Sequence, residues 1–431
     1  MLDIRYIREH PKEVQLKSEQ KGYSVDVSSL LRLDDERREL QQKADTIRQA
    51  RNELAAGLKK GKPSEVDLQK GRDLKTELTA VETTLRDVDA TFLAMLKKIP
   101  NMPLDYVPVG ESETQNVVIK TVGTPPAFSF EPKNHWQIGE SRDLIDKERA
   151  AKVAGSRFAY IKGDLVRLQV AVVHWAIDAL TDESVIKKII ADNNLQVPAK
   201  PFVPVMPPAV IRTDVYEATG RLNAEEVTYK LADDDLWLNA SAEHSMAPMY
   251  MNEILPESQL PVRYVAYATS FRREAGTYGK DMEGIFRLHQ FDKLEMESFS
   301  TAETGLEEHK LMVAIQEYLM QQLELPYQVL QKCTADIGGP NAAGVDINAW
   351  LPGQGKYRET HTADYITDYQ TRRLQSRVRR ENGDLELMHT NDATALSMRP
   401  LIAIVENYQN KDGSITVPTV LRPYVGGKEN L

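Results

Sequence analysis

The sequence predicts an α+β protein in which a long antiparallel coiled-coil hairpin precedes a domain built on a mainly antiparallel β-sheet flanked by helices. Two observations predict this arrangement. Apolar residues recur at heptad spacing between residues 31 and 99, with one interruption. After about residue 140, helical stretches mix with short β-type runs without regular alternation, which favours an antiparallel sheet over a doubly wound one.

Two separate apolar seams predict the hairpin. The first recurs every seven residues, at Leu33, Leu40, Ile47 and Leu54. The second alternates steps of four and three, at Leu74, Leu78, Val81, Leu85, Val88, Phe92, Met95 and Ile99. This spacing places each seam along one side of a helix. Gly and Pro in residues 57–63 interrupt the pattern, and Ser64 is in position to cap the second helix.

The tip of this hairpin is locally basic. Its cations are Arg48, Arg51, Lys59, Lys60 and Lys62. Two interpretations stay open: a solvated turn with scattered cations, and an arm that contacts nucleic-acid phosphates. The formal net charge of -10 argues against nucleic-acid binding through overall charge, but not against a local basic surface.

Composition restricts the compartment and the kinds of site. The 431 residues contain one cysteine, Cys333, so a disulfide within the chain is excluded and a cysteine-based zinc site is not expected. Asp3, Arg5 and Arg8 stand where a signal peptide needs an apolar core. The most apolar helical stretch, 170–180, is too short to span a bilayer. We therefore expect a cytoplasmic protein that does not enter a membrane.

Candidate chemistry is densest between residues 268 and 295. A β-type run, a glycine-bearing loop and an alternating stretch predict a long hairpin in which Arg272 and Arg287 face one groove. Guanidinium groups suit phosphate, and Phe291 is suited to stack on a base. A surface hairpin joined by ion pairs is the alternative. The sequence lacks a Walker loop, G-x-G-x-x-G and H-E-x-x-H, so a bound nucleotide would be held by side chains on a sheet.

This segment closely resembles the second signature motif of class II aminoacyl-tRNA synthetases, in the form found in the seryl enzymes. The resemblance continues along the chain. Residues 1–11 resemble the opening of that family, and Pro207-Pro208 resembles the first motif, which the family uses at a dimer interface. Arg399 and residues 406–424 resemble the third motif and the C-terminus.

The resemblance implies a ligase that activates L-serine with ATP, forming seryl-adenylate and pyrophosphate, and transfers serine to the 3′-terminal adenosine of tRNA(Ser). It implies a tRNA-binding arm in residues 1–110, a class II catalytic domain in residues 111–431, Mg²⁺ and a homodimer. Two alternatives stay open: a paralogue without tRNA charging, and a ligase that charges a carrier protein.

The resemblance also implies roles for individual residues. The catalytic residues would be Arg272, Arg399 and Glu359. The ATP-binding residues would be Arg272, Glu274, Arg287, Phe291, Glu359, Thr362 and Arg399. The serine-binding residues would be Ser241, Glu243, Arg272, Glu295 and Thr394. The metal ligands would be Glu359 and Thr362, and the tRNA-binding residues would be Arg48, Arg51, Lys59, Lys60 and Lys62.

The chain departs from the family pattern at several of these positions. The stretch 389–399 is one residue shorter than is usual, so either Thr394 or Ala393 occupies the serine-recognition position. Thr394 is favoured because its hydroxyl can pair with the hydroxyl of serine. Thr362 stands where the family usually has serine, and Asn348 replaces an acidic residue.

Overall fold

The structure, a computed structural model, describes residues 1–58, 64–222, 228–274 and 284–431. They form two compact units, Met1–Met102 and Pro103–Leu431. Residues 103–110, which the sequence analysis grouped with the arm, hydrogen-bond within the second unit. For example, the backbone N of Leu104 donates to the O of Ala342 at 2.9 Å.

The first unit is a helical hairpin with two short helices before it. Its helices are α1 (Ile4–Glu9), α2 (Pro11–Gln20), α3 (Val27–Leu58) and α4 (Glu65–Lys98). The buried residues shared by α3 and α4 are Ala44, Ile47, Leu78 and Val81. Arg37 of α3 pairs with Asp89 of α4. Further along α3, Arg48 pairs with Glu82, which precedes Asp89 in the chain, so the helices run antiparallel as predicted.

A capping box begins α4. The hydroxyl of Ser64 accepts a hydrogen bond from the backbone N of Asp67 at 3.2 Å. The carboxylate of Asp67 accepts one from the backbone N of Ser64, also at 3.2 Å. Two backbone donors that the helix cannot pair internally are thereby satisfied, which confirms the predicted capping role of Ser64.

Asp34 is buried among arginines in the first unit. Arg8 Nε and Arg37 Nη2 donate to its carboxylate at 2.7 and 2.8 Å, and Arg38 lies 3.4 Å away. Burial works to raise the pKa of Asp34, but the hydrogen bonds and charges of these arginines outweigh it, so the pKa is lowered. The ionised carboxylate ties α1 to α3.

The second unit contains the remaining helices and the strands. Its helices are α5 (His135–Ser141), α6 (Lys147–Ala154), α7 (Asp164–Thr181), α8 (Glu183–Asp192), α9 (Thr213–Thr219), α10 (Glu243–Met246), α11 (Gly305–Gln322), α12 (Thr371–Leu374) and α13 (Met398–Asn407). Its strands are β1 (Val117–Val122), β2 (Ile145–Asp146), β3 (Tyr160–Ile161), β4 (Val203–Val205), β5 (Val210–Arg212), β6 (Leu236–Leu238), β7 (Ile254–Pro256), β8 (Val262–Phe271), β9 (Gln290–Ser300), β10 (Tyr327–Gln331), β11 (Ala343–Leu351), β12 (Lys356–Thr367), β13 (Arg377–Arg379), β14 (Leu385–Leu387) and β15 (His389–Ser397). In the described part of the chain, no helix is long and apolar enough to cross a membrane.

The main sheet is almost wholly antiparallel. Its eight strands among the described residues run in the order β1-β10-β11-β12-β15-β9-β8-β4. Neighbouring strands are antiparallel except β4 and β8, which are parallel. The predicted α+β class with a mainly antiparallel sheet is therefore confirmed.

The two faces of this sheet differ in polarity. Helix α11 packs across β9, β12 and β15, and Leu294 and Met296 of β9 belong to the apolar core with it. Because side chains alternate along a strand, Lys293, Glu295 and Glu297 project to the opposite face. The second unit therefore places charged groups on the side of the sheet away from α11, and the candidate site lies there.

Candidate active site

Strands β8 and β9 position the first candidate residue, Arg272. Its backbone N donates to the O of His289 at 2.9 Å. Its Nε donates to the O of Ala240 at 3.0 Å, and its guanidinium lies 5.3 Å from the ring centroid of Phe291. The guanidinium is thus fixed by a hydrogen bond from its Nε and by the Phe291 ring, which lies near it. Loop residues 275–283, which belong to the motif seen in the sequence, lie outside the described residues.

Glu274 and Arg287 pair where this hairpin leaves the strands. Arg287 Nη1 donates to Glu274 Oε2 at 3.0 Å, and Arg157 Nη1 donates to the backbone O of Glu274 at 3.0 Å. Glu274 has a φ of 49°, in a region that residues other than glycine seldom adopt. These contacts hold the Glu274 backbone in that conformation and give its carboxylate a defined position.

Arg399 and Glu359 form the opposite side of the site. Arg399 lies in the first turn of α13, and its Nη1 is 2.8 Å from Oε1 of Glu359 on β12. Phe286 is buried against two guanidiniums, those of Arg399 at 4.8 Å and Arg358 at 4.0 Å from its ring centroid. Desolvation works to raise the pKa of Glu359, but the positive charges of Arg399 and Lys332 outweigh it and the pKa is lowered. The Glu359 carboxylate is therefore ionised at neutral pH.

One cavity brings most of the predicted catalytic and substrate-binding residues together. It has a volume of about 630 Å³ when the space open to solvent is included. The predicted residues in its lining are Arg272, Glu274, Arg287, Phe291, Glu359, Thr362, Thr394 and Arg399. Ser241, Glu243 and Glu295 are not in this lining. All three are buried, and Ser241 and Glu295 contact Lys293, which is in the lining.

Ser241 and Glu295 form a buried polar pair beside Lys293. Ser241 Oγ donates to Glu295 Oε2 at 2.8 Å, and the ammonium of Lys293 contacts both side chains. The other carboxylate oxygen, Oε1, is buried and has no hydrogen bond in the described part of the chain. Burial raises the pKa of Glu295. An unpaired buried acceptor is costly, so this oxygen is suited to accept a hydrogen bond from a bound ammonium group.

Strand register distinguishes the two residues that the sequence left open for serine recognition. Thr394 on β15 pairs with Glu295 on β9, and it is in the cavity lining. Ala393 pairs with Met296 on β9 and with Ala363 on β12. Ala393 therefore faces the apolar core, whereas Thr394 presents its hydroxyl on the face of the sheet that carries the site.

The carboxylate of Glu243 is hydrogen-bonded by residues that the sequence analysis missed. Its Oε1 accepts hydrogen bonds from Arg221 Nε at 2.6 Å and from Gln370 Nε2 at 3.0 Å. Lys293 was missed as well, although the alternation of charged residues along β9 was a signal that could have identified it. Arg221 has no such local signal, because it precedes Glu243 outside any of the motifs.

Comparison with known proteins gives one consistent result. The family described as "Seryl-tRNA synthetase N-terminal domain" matches residues 1–103, and the "tRNA synthetase class II core domain (G, H, P, S and T)" matches residues 227–408. The serine–tRNA ligase of Thermodesulfovibrio yellowstonii is 39% identical over 99% of this chain and 99% of its own length. That of Nitrosopumilus maritimus is 35% identical over 100% of both chains. The chain belongs to the seryl-tRNA synthetase family.

Solved structures of family members agree. The seryl-tRNA synthetase of Pyrococcus horikoshii, complexed with ATP, is 35% identical and superposes with a TM-score of 0.89 over 100% of this chain and 99% of its own. The cytoplasmic serine–tRNA ligase of Naegleria fowleri, in complex with AMP, is 26% identical with a TM-score of 0.84, covering 100% and 98%. Both units of the chain therefore have counterparts in seryl-tRNA synthetases.

The family resemblance implied a magnesium ion at Glu359 and Thr362, and the structure allows that residue set to be tested. No group of three or more His, Cys, Asp or Glu side chains among the described residues could hold a metal ion alone. Mg²⁺ is usually bound by one or two carboxylates together with substrate phosphates. Glu359 supplies an ionised carboxylate, and the Thr362 hydroxyl is buried without a hydrogen bond of normal length in that part of the chain. These residues fit an ion that arrives with ATP.

The cations of the arm are only partly described. Arg48 pairs with Asp45 at 2.7 Å and with Glu82 at 2.9 Å. Arg51 is exposed on the same helix. The remaining candidates for tRNA contact lie outside the described residues; they are Lys59, Lys60 and Lys62.

Proposed function

We propose that this protein activates L-serine with ATP and transfers the seryl group to the 3′-terminal adenosine of tRNA(Ser). One observation carries the proposal. A single cavity lies between Arg272 and Arg399, and its lining includes Lys293, which contacts the buried Glu295; one carboxylate oxygen of Glu295 has no hydrogen bond among the described residues. The arginine-lined cavity suits a nucleoside triphosphate, and that carboxylate oxygen of Glu295 suits the ammonium group of an amino acid. The relative from Pyrococcus horikoshii was solved with ATP.

Activation follows from charge stabilisation by fixed side chains. A carboxylate oxygen of serine attacks the α-phosphorus of ATP, the bond to the bridging oxygen breaks, and pyrophosphate leaves. Negative charge builds on phosphate oxygens, which Arg272 stabilises while it also holds the serine carboxylate. Arg287 and Arg399 bracket the outer phosphates, so no side-chain nucleophile is required.

Adenine binds at the mouth of the hairpin. Phe291 stacks against the base and Glu274 contacts its polar edge. The Arg287–Glu274 pair, at 3.0 Å, limits where that carboxylate can point. Glu359 and Thr362 would hold a magnesium ion, which supplies positive charge that neutralises the triphosphate when it is bound.

Serine is selected by buried polar groups. Glu295 accepts from the ammonium, Ser241 and Glu243 complete the polar wall, and Thr394 pairs with the substrate hydroxyl. Alanine lacks that hydroxyl and would leave Thr394 unpaired in a buried position. A site built to hydrogen-bond a substrate group rejects an analogue that lacks it.

Transfer to tRNA uses the first unit of the chain. We propose that residues 1–110 form the tRNA-binding arm and residues 111–431 the catalytic domain, in a cytoplasmic homodimer.

The first-motif likeness of Pro207-Pro208 supports the dimer. So does the exposure of Val203 (51%), which begins the edge strand β4, and of Met206 (82%), which follows it. Light scattering at micromolar concentration is expected to give twice the mass of the chain, and a monomer would contradict the dimer.

The decisive experiment is ATP–pyrophosphate exchange with each standard amino acid in turn. Exchange is expected with serine alone. Arg272→Ala should lower it by about 10² to 10³, the usual effect of removing one donor that stabilises transition-state charge. Arg273→Ala is the matched control, because Arg273 is not in the cavity lining. Exchange with a different amino acid, or none with serine, would contradict the proposal.

A further inference from the structure

A buried cluster of charged residues lies behind the serine pocket, and Arg221 is at its centre. Arg221 follows α9, after Gly220, which has a φ of 73°. Its Nε donates to Glu243 Oε1 at 2.6 Å, and its Nη2 donates to Asp392 Oδ1 at 3.0 Å. The same Nη2 lies 3.9 Å from Asp364. One guanidinium therefore joins residues from α10, β15 and β12.

The carboxylates around Arg221 converge because of strand register. Asp392 on β15 pairs with Glu297 on one side and with Asp364 on the other. Two residues along β15, Thr394 pairs with Glu295. The acidic cluster and the serine pocket are thus consecutive rows on one face of the same strands.

Glu297 makes this arrangement sensitive to any loss of positive charge. It is fully buried, and neither carboxylate oxygen has a hydrogen bond among the described residues. Burial first, and then the neighbouring Asp392, raises the pKa of Glu297 well above its usual range. Burial, and then the neighbouring Glu243, raises the pKa of Asp392 as well, and the positive charge of Arg221 opposes that rise.

The nearby cations pair with different carboxylates. Lys293 contacts Glu295, and Lys332 lies 3.8 Å from Asp364. Of the cations in the described part of the chain, Arg221 is the one that pairs with both Glu243 and Asp392. Burial works to lower the pKa of Arg221, but these two carboxylates outweigh it and raise the pKa, so the guanidinium stays charged.

We propose that Arg221 is a positioning residue that sets the inner end of the serine pocket by holding Glu243 and Asp392 at fixed places. The inference rests on the proposed function. A guanidinium is needed because its rigid fork presents donors to two carboxylates at once, whereas a lysine ammonium acts as a single point charge. Displacement of Asp392 would move Thr394, two residues along β15, and with it the group that meets the substrate hydroxyl.

The test is steady-state pyrophosphate exchange with Arg221→Lys, which keeps the charge and loses the fork. We expect the KM for serine to rise by about tenfold or more, the order of one charge-assisted hydrogen bond. The KM for ATP should change by less than about twofold, because the residues proposed to bind ATP do not include Arg221 or its partners. The preference for serine over threonine should fall, because Glu243 and Asp392 no longer hold the inner end of the pocket in one position.

Arg212→Lys is the matched control. Arg212 pairs with Asp214 on the surface, where both side chains are more than half exposed, and the serine KM should not change. A second variant covers failure of Arg221→Lys to fold. Arg221→Gln combined with Asp392→Asn removes one charge of each sign and restores a neutral hydrogen bond, so its serine KM should lie below that of Arg221→Gln alone.

The outcomes separate the two proposals. An unchanged serine KM in folded Arg221→Lys, or equal increases in the KM for serine and for ATP, would overturn the positioning role while native exchange with serine stands. In the second variant, no improvement over Arg221→Gln would do the same. Absence of serine-dependent exchange in the native protein would instead reject the proposed function, and the role of Arg221 with it.

Discussion

The distal part of the arm and the serine pocket of this chain place their charged pairs in opposite environments. In the arm, the side chains of Arg48 and Glu82 pair while 46% and 40% exposed. In the second unit, those of Arg221 and Glu243 pair while only 15% and 6% exposed. Exposed pairs contribute little to stability, whereas a buried charge that loses its partner is strongly destabilising. Charges on the arm are therefore available to a partner, and charges in the second unit define a pocket.

The units also differ in how they bury apolar surface. The arm has one seam, in which Ala44 and Ile47 meet Leu78 and Val81. The second unit encloses a large core between the sheet and helices such as α7, α11 and α13. Most contacts within the arm are made between its own two helices, so the chemistry of the second unit should tolerate removal of the arm's distal part.

Removal of the distal arm is expected to give the largest effect. Deletion of residues 41–85, closed by a glycine linker, keeps Asp34 and its arginine partners in place. Serine-dependent exchange should stay within about twofold of the native rate, because the proposed catalytic residues lie in the second unit. Charging of tRNA should fall by about 10² or more, the scale on which lost phosphate contacts weaken nucleic-acid binding.

Two assays on one preparation measure this difference, with circular dichroism to show that the deleted protein is folded. A folded deletion that loses exchange would break the comparison, because the arm would then contribute to activation. A deletion that still charges tRNA at the native rate would show that the arm is not the tRNA-binding element.

The arm was predictable because its packing is local and periodic. Heptad spacing specified both helices, and Ser64 specified where the second one begins. Residues of the candidate site that belong to contiguous motifs, such as Arg272 and Glu359, were predicted from the resemblance. Arg221 was not, since its hydrogen-bond partner Asp392 is 171 residues away in the sequence. Only the register of β9, β12 and β15 brings that pair together, and no local pattern encodes it.

Asp34 sharpens the comparison, because it is a buried charge within the arm unit. Asp34→Asn should destabilise the first unit by about 2 to 3 kcal/mol, the order of its lost charge-assisted hydrogen bonds. The pKa of Asp34 is lowered on folding, so its contribution is complete above the ordinary value of 3.8 and disappears as the pH falls through the lower folded value. Exchange activity should be unaffected.

Thermal unfolding as a function of pH measures this prediction. The native protein should lose stability in the first unit through that acidic window, and Asp34→Asn should not show this component. Parallel pH profiles for the two proteins would mean that the carboxylate is equally stabilised in the unfolded chain.

The capping box at α4 should give the smallest effect. Ser64→Ala removes the hydroxyl that accepts from the backbone N of Asp67, and loss of such a cap costs about 1 kcal/mol. Thr84→Ala on the same helix is the matched control. Thr84 is exposed, and alanine has the higher helix propensity, so this change should stabilise the arm by a few tenths of a kcal/mol. Amide hydrogen exchange in residues 65–88 of α4 reads out both changes locally. Opposite signs would show that the arm's stability is set by local helix energetics, whereas equal destabilisation would mean that the tip is held by contacts outside the helix.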